Sequence, residues 1–207
     1  KLLEDLKPEI LESESSKQDD VQYWIEKTNV TGRLDRVSGP NALGKALWSP
    51  QTSSNGTKIY EEMLKVKEGD LVFHLGDESI MGISIASGSA DDQFICLEDT
   101  EWAGREGYRV ELHDYKELKP RLDRQHIFQE KEAMKDIREK YKKLFYTINL
   151  DYRQGGYLTE LPSELVRLFN KIYNQLAQED LPHFNGDESL PYIKEDEEMP
   201  EENYSID

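Results

Sequence analysis

The chain has 207 residues, 36% of them hydrophobic and 33% charged, and a formal net charge of −17. That bounds it to one sizeable domain with appendages or to two small ones. It excludes bulk, sequence-blind binding of nucleic acid, which needs many Lys and Arg against phosphate, and no apolar run approaches the roughly 20 residues of a membrane span.

The acidity is uneven. Residues 179–207 carry −10, residues 1–20 carry −4, and residues 125–178 carry +2. A local basic groove is therefore compatible with the whole. The single cysteine, Cys96, rules out an intramolecular disulfide and fits a reducing, cytoplasmic setting. The first residues, KLLEDLKPEILESESS, have no apolar signal core and no initiator Met, so a fragment or processed product is expected.

In chain order, residues 1–20 read as a short helix or linker remnant running into a polar joint. Val21 to Lys27 is a strand by its β-branched and aromatic content, with Trp24 on its apolar side and core packing the favoured role for that ring. Arg33 to Pro40 is a loop, and a helical turn starts at Pro40 or Asn41. The stretch Asn41 to Ser84 organises the rest. It offers Trp48-Ser49-Pro50 in an exposed loop, a polar turn at Ser53 to Gly56, an amphipathic helix over Ile59 to Leu64, a buried strand Leu71 to Leu75 and a returning strand Ile80 to Ile85.

Gln93 to Leu97 is a strand or turn. Trp102 lies in a second polar loop, and Tyr108 to Leu112 alternates at period two, as a half-buried strand does. The following segment is helical: Gln129 to Phe145 and Ser163 to Gln178 place apolar residues at i, i+3 and i+4 spacings, with Pro162 at a first-turn position. Thr147 to Tyr152 is strand-like. From Glu179 the chain is an acidic linker or tail. The expected class is α+β: a small curled sheet or barrel over 21–124 with flanking helices, then a helical extension over 125–178.

The chemistry-bearing motifs are sparse. Gly39 to Lys45 lacks the spacing and the hydroxyl residue of a phosphate-binding loop. His74, His113, His126 and His183 form no metal-ligand spacing, and Cys96 cannot complete a zinc site alone. No catalytic set, metal site or cofactor is expected. His74, inside an apolar strand, is read as a hydrogen-bonded core or site-wall residue. It is the one candidate acid/base if the chain were an enzyme acting on a nucleobase. Trp48 and Trp102, each in a polar loop beside Gly or Pro, can hold a flat base between π-faces or plug the ends of a barrel, and position alone does not choose.

Five segments resemble the EVE/YTH group of PUA-like domains. Trp24-Ile25-Glu26-Lys27-Thr28-Asn29 is similar to their first strand, and Leu47-Trp48-Ser49 to the step that builds a cage wall. Gly69-Asp70-Leu71-Val72-Phe73-His74 resembles their GD-hydrophobic strand, and Gly82-Ile83-Ser84 its partner. Trp102-Ala103-Gly104-Arg105 resembles the second Trp loop. The resemblance implies a binding module that reads a modified base, flipped from DNA or carried by RNA. Trp48 and Trp102 would face each other as cage walls, with Asn29, Thr28, Ser49 and His74 on the base. Arg33, Arg36, Lys45, Lys58 and Arg105 would hold phosphates. Gln154 to Thr159 resembles the segment after the reader domain in McrB-type restriction NTPases. It implies an AAA+ motor following in the parent chain and a role in defence. A peptide-binding domain is the remaining alternative.

Overall fold

The computed structural model describes residues 21–184. The expectations for residues 1–20 and for most of the acidic tail lie outside the described residues.

The strands are β1 (Tyr23–Thr28), β2 (Ala46–Pro50), β3 (Leu71–Gly76), β4 (Ser79–Ala86), β5 (Gly107–Leu122) and β6 (Leu158–Leu161). They form one curled sheet in the order β2-β5-β4-β3-β1-β6. Strands β1 and β3 run parallel, and every other neighbouring pair is antiparallel. The helices are α1 (Leu34–Val37), α2 (Arg124–Ile127), α3 (Lys131–Lys140) and α4 (Ser163–Ala177), with a 3-10 helix at Glu61–Lys65. No helix among the described residues is long and apolar enough to cross a membrane.

Side chains alternate across a strand, and the sheet uses that alternation to separate two cores. Ile25, Phe73, Leu75, Ile83 and Leu122 face α2, α3 and α4, whose Ile127, Met134, Phe169 and Ile172 close the larger cluster. Trp24, Val72, Leu47, Val110 and Tyr108 face the opposite way, into the concave side, with Met63 and Val66 of the 3-10 turn. Trp24 is core, as expected, at 1% exposure. Its indole N–H donates to Asp70 at 2.8 Å, and Asp70 also takes the backbone N–H groups of Gln22 and Lys67. That acidic residue fixes the entry to β3.

The sheet also joins the two segments expected to part at residue 124. Leu158–Leu161 pairs with β1, and Phe169 of α4 lies against Phe73 of β3 with ring centroids 6.3 Å apart. Within the described residues, 21–124 and 125–178 share one sheet and one core.

Local structure departs from periodicity in three places. The helix expected over Ile59 to Leu64 is a 3-10 turn one or two residues later. The helix expected to reach Phe145 ends at Lys140. There the Arg138 side chain turns back to donate to the carbonyls of Tyr141 and Tyr146, and Leu144, Phe145 and Tyr146 enter the core as irregular chain. The expected strand at Thr147 to Tyr152 is a tight turn closed by a single Tyr146–Tyr152 bridge, with Leu150 at φ 61°.

Candidate functional site

Where β1 ends, beside β2, the described residues leave a cavity of about 420 Å³, within the roughly 300–1,000 Å³ range of small-molecule sites. Thr28 and Asn29 enter it from the end of β1, and Arg33 from the start of α1. Trp48 and Ser49 come from β2, Ile59 and Tyr60 from the loop before the 3-10 turn, and Trp102 from the turn before β5. Gln154, Gly155, Gly156 and Tyr157 come from the chain leading into β6. Both glycines sit at φ 70°, a left-handed conformation that glycine adopts without steric penalty.

Trp48 is not the exposed loop residue expected. It lies in the middle of β2, paired opposite Arg109, and is 3% exposed. The misleading signal is Ser49-Pro50. Proline closes a strand here, at its last residue, where no further ladder donor is needed. Trp102 is in a turn, as expected, and half-buried. The two indoles do not face each other. Their centroids are 5.9 Å apart and their planes meet at 81°, an edge-to-face contact. Two rings in that relation form a corner and cannot sandwich a heterocycle between them. Phe94 also meets Trp48 edge-on, with centroids 6.1 Å apart.

Arg33 stands over Trp48, with its guanidinium carbon 5.4 Å from the ring centroid. Asp35 holds it there through two hydrogen bonds of 2.9 and 2.7 Å, and Asp35 also accepts the Trp48 indole N–H at 3.2 Å. Burial would raise the Asp35 pKa, but the hydrogen bonds and charge of Arg33 keep it below the ordinary carboxylate value. Arg33 is thus tied to the cavity wall and is not held out toward solvent.

Ser49 is 2% exposed, and its hydroxyl has no hydrogen-bond partner among the described residues. A buried hydroxyl without a partner is costly, and this one lines the cavity. Asn29 is exposed and Thr28 half-buried. Thr28, Asn29 and Ser49 are therefore brought together with both indoles.

Of the remaining expected contacts, Arg36 also lines the cavity, whereas His74, Arg105, Lys45 and Lys58 do not. Arg36 is 2% exposed and lies in a buried ion pair with Glu26 at 2.5 Å. It also donates to the carbonyls of Asn41 and Ala46, so its charge is already paired within the fold. His74 is fully buried and does not line the cavity. Its Nδ1 is 2.7 Å from Glu26 and its Nε2 2.8 Å from the Ser84 hydroxyl. Arg105 is committed to the carbonyls of Thr52 and Ser53. Lys45 is exposed at the edge of β2, away from the cavity lining. Lys58 is exposed, 3.9 Å from Glu61, and precedes the rim residue Ile59.

The buried groups form a connected set. Tyr157 donates its hydroxyl to Glu26 at 2.6 Å and accepts the Trp48 backbone N–H at 3.0 Å. Burial alone would raise the Glu26 pKa. The Arg36 charge and the hydrogen bonds of His74 and Tyr157 outweigh burial and hold it below the ordinary value. Burial and the Glu26 charge push the Tyr157 hydroxyl well above its own. Ser84, His74 and Glu26 are hydrogen-bonded in series, in the order a nucleophile, base and orienting acid would take. All three are at 0% exposure, so no substrate reaches the hydroxyl, and the set works as a scaffold.

Sequence reasoning missed Tyr60, Tyr157, Lys27 and the glycine pair. Lys27 lines the cavity and donates to the Arg153 carbonyl. Burial, and then the positive charge of Arg153, lowers its pKa. The first-strand motif ending Lys27-Thr28-Asn29 is the available signal for Lys27. Nothing local marks Tyr157, which reaches the cavity only because β6 pairs with β1.

No protein-family model matches the chain, and no curated protein matches it. Among solved structures, a hypothetical protein from Leishmania major is similar with a TM-score of 0.51 at 13% identity, over 76% of this chain and 97% of that one. That likeness is one of fold. The YTH domain of the Zygosaccharomyces rouxii MRB1 protein, solved in complex with N6-methyladenosine RNA, gives a TM-score of 0.40 at 12% identity over 75% of this chain and 88% of that one. The N-terminal domain of Staphylothermus marinus McrB gives 0.34 at 14% identity over 52% of this chain and 79% of that one.

Proposed function

We propose that the chain is a nucleic-acid-binding module, not an enzyme, that reads one modified base held in the cavity beside Trp48. The observation that carries this reading is the corner itself. Two indoles meet at 81° beside a buried serine hydroxyl with no partner, with Asn29 at the open side. A flat heterocycle stacks on one ring, abuts the other, and spends its polar edge on groups that are otherwise unsatisfied.

The energies are of the right size. Extruding a base costs a few kcal/mol, least where pairing is already weak. Stacking on one aromatic returns about 1–3 kcal/mol, and a buried methyl adds about 0.8 kcal/mol. A corner offers one stacking face and one edge, less than a sandwich. The polar contacts therefore carry a larger share of discrimination. The enzyme alternative loses its candidate, because His74 is sealed behind the wall.

The finer reading is a DNA reader in a McrB-type restriction system, with an AAA+ motor in the parent chain. It rests on the resemblance at Gln154 to Thr159. In the structure that segment belongs to the cavity wall and to β6, so it supports the reader more directly than the motor.

The test is fluorescence anisotropy with short single strands and duplexes of DNA, and matched RNAs, carrying 6-methyladenine, 5-methylcytosine or no modification. Binding that prefers one modified base is expected, and Trp102→Ala should weaken it about tenfold to a hundredfold, the effect of removing one stacking face. Equal affinity for all probes, or full affinity in Trp102→Ala, refutes the reading. Preference for the RNA set would reassign the substrate and keep the mechanism.

A further inference from the structure

A second cavity, of about 660 Å³, opens between α2, α3 and the turn at Asn149-Leu150. Its charged lining residues are all cationic: Arg124, Lys131 and Lys135. Lys131 and Lys135 stand at i and i+4 on α3, which places them on one face. Arg124 is held rigidly, its guanidinium 5.4 Å from the Phe128 ring centroid and 4.9 Å from that of Tyr152, with hydrogen bonds to the Leu150 carbonyl and to Asp151. Lys135 reaches Glu132 at 3.2 Å in an exposed pair, which salt and a competing anion readily break. In a chain of net charge −17, a cavity with an all-cationic charged lining is a local exception.

Its position matters as much as its sign. Leu150 lines this cavity and Gln154 lines the first. Four residues span at most about 14 Å when fully extended, so the two cavities adjoin within the reach of a short stretch of nucleic-acid strand. The first cavity has few cations to spare, because Arg33 and Arg36 are paired internally.

We propose that this second cavity is a phosphate-contact site for the strand running on from the base in the first. The ligand is a nucleic-acid backbone, and Lys131 and Lys135 are its contacts. The proposal rests on the reading given above for the substrate class, but it is tested by a separate quantity.

The experiment uses the full chain and its Lys131→Gln, Lys135→Gln double variant. Both positions border an open cavity, and glutamine is a good helix former, so the variant should fold; circular dichroism checks this. The probes are single strands of about three and about twenty nucleotides, with and without a central 6-methyladenine or 5-methylcytosine, over about 50 to 200 mM KCl. On the long probes, the plot of log affinity against log salt should become shallower by about 1.4, roughly 0.7 for each phosphate that is no longer neutralised. On the short probes it should not change. Equal slopes for the two proteins on the long probes overturn the proposal. A changed slope without any preference for the modified base keeps this site and removes the base reading. A methyl preference with equal slopes does the reverse, and binding of no probe removes both.

Discussion

Replacing Arg36 with methionine separates a structural cation from a phosphate ligand. In the fold this guanidinium is 2% exposed, pairs with Glu26 at 2.5 Å and donates to the carbonyls of Asn41 and Ala46. Methionine fills much of the same volume but leaves the Glu26 carboxylate at 0% exposure with only His74 and Tyr157 as partners. Breaking a buried pair from one side costs about 3–5 kcal/mol, because the remaining charge is uncompensated. A chain of this size loses roughly 2–4 °C of Tm per kcal/mol, so the fall should be about 6–20 °C. Thermal unfolding by circular dichroism, with urea titration, measures it. The double variant Arg36→Met, Glu26→Gln should recover part of the loss, since no charge then stays buried unpaired. A Tm within about 3 °C of the parent, together with a selective loss of affinity for long oligonucleotides, would refute the reasoning. Arg36 would then be reaching solvent and phosphate after all.

The same region supports two more tests. The folded-state pKa of Glu26 is depressed, the net of burial raising it and of Arg36, His74 and Tyr157 lowering it more. Its contribution is therefore complete above the ordinary carboxylate pKa of about 4.3 and is lost as pH falls through the lower folded value. Urea midpoints from pH 7 down to about 3 should fall more steeply for the parent than for Glu26→Gln, and parallel curves would contradict the depressed pKa. Ser49→Ala removes a buried hydroxyl that has no partner. The unliganded variant should match the parent or gain up to about 1 kcal/mol, while affinity for the preferred probe falls. A Tm loss of several degrees would show that the hydroxyl has a structural partner.

The elements of the fold are legible where one period dominates. The run Leu71 to Leu75 is buried throughout as β3, and α4 presents Leu165, Phe169 and Ile172 as its spacing demands. The continuity across residue 124 is not legible, because β6 is four residues long and finds β1 across more than a hundred residues of chain. Local sequence carries no record of that pairing. The same pairing delivers Tyr157 to the cavity, so the missed wall and the unforeseen continuity across residue 124 have one cause. Ser49-Pro50 reads as a turn and points to a loop at Trp48. Tertiary pairing with Arg109 overrides it. Arg36 and His74 read as a phosphate ligand and a candidate site residue because the sequence cannot show that Glu26 lies between them.

On the proposed reading, the internal pairing of the cations decides how the first cavity can hold a base. Arg33 is bound to Asp35 and Arg36 to Glu26. Arg105 is spent on loop carbonyls and Lys27 on the carbonyl of Arg153. Each would have to give up a native interaction to meet a phosphate. Backbone attraction at the mouth is therefore weak, and the surplus of carboxylates opposes it further. On that reading, affinity there comes from the ring faces, which stack on any base and hardly respond to salt, and from the unsatisfied hydroxyl of Ser49, which meets the polar edge of the base. A site built this way then depends, on the same reading, more on the base it holds than on the backbone that all sequences share. Any phosphate attraction has to be supplied from elsewhere on the surface, and the cavity that holds the α3 lysine pair begins, at Leu150, no more than about 14 Å of chain from Gln154 in the first.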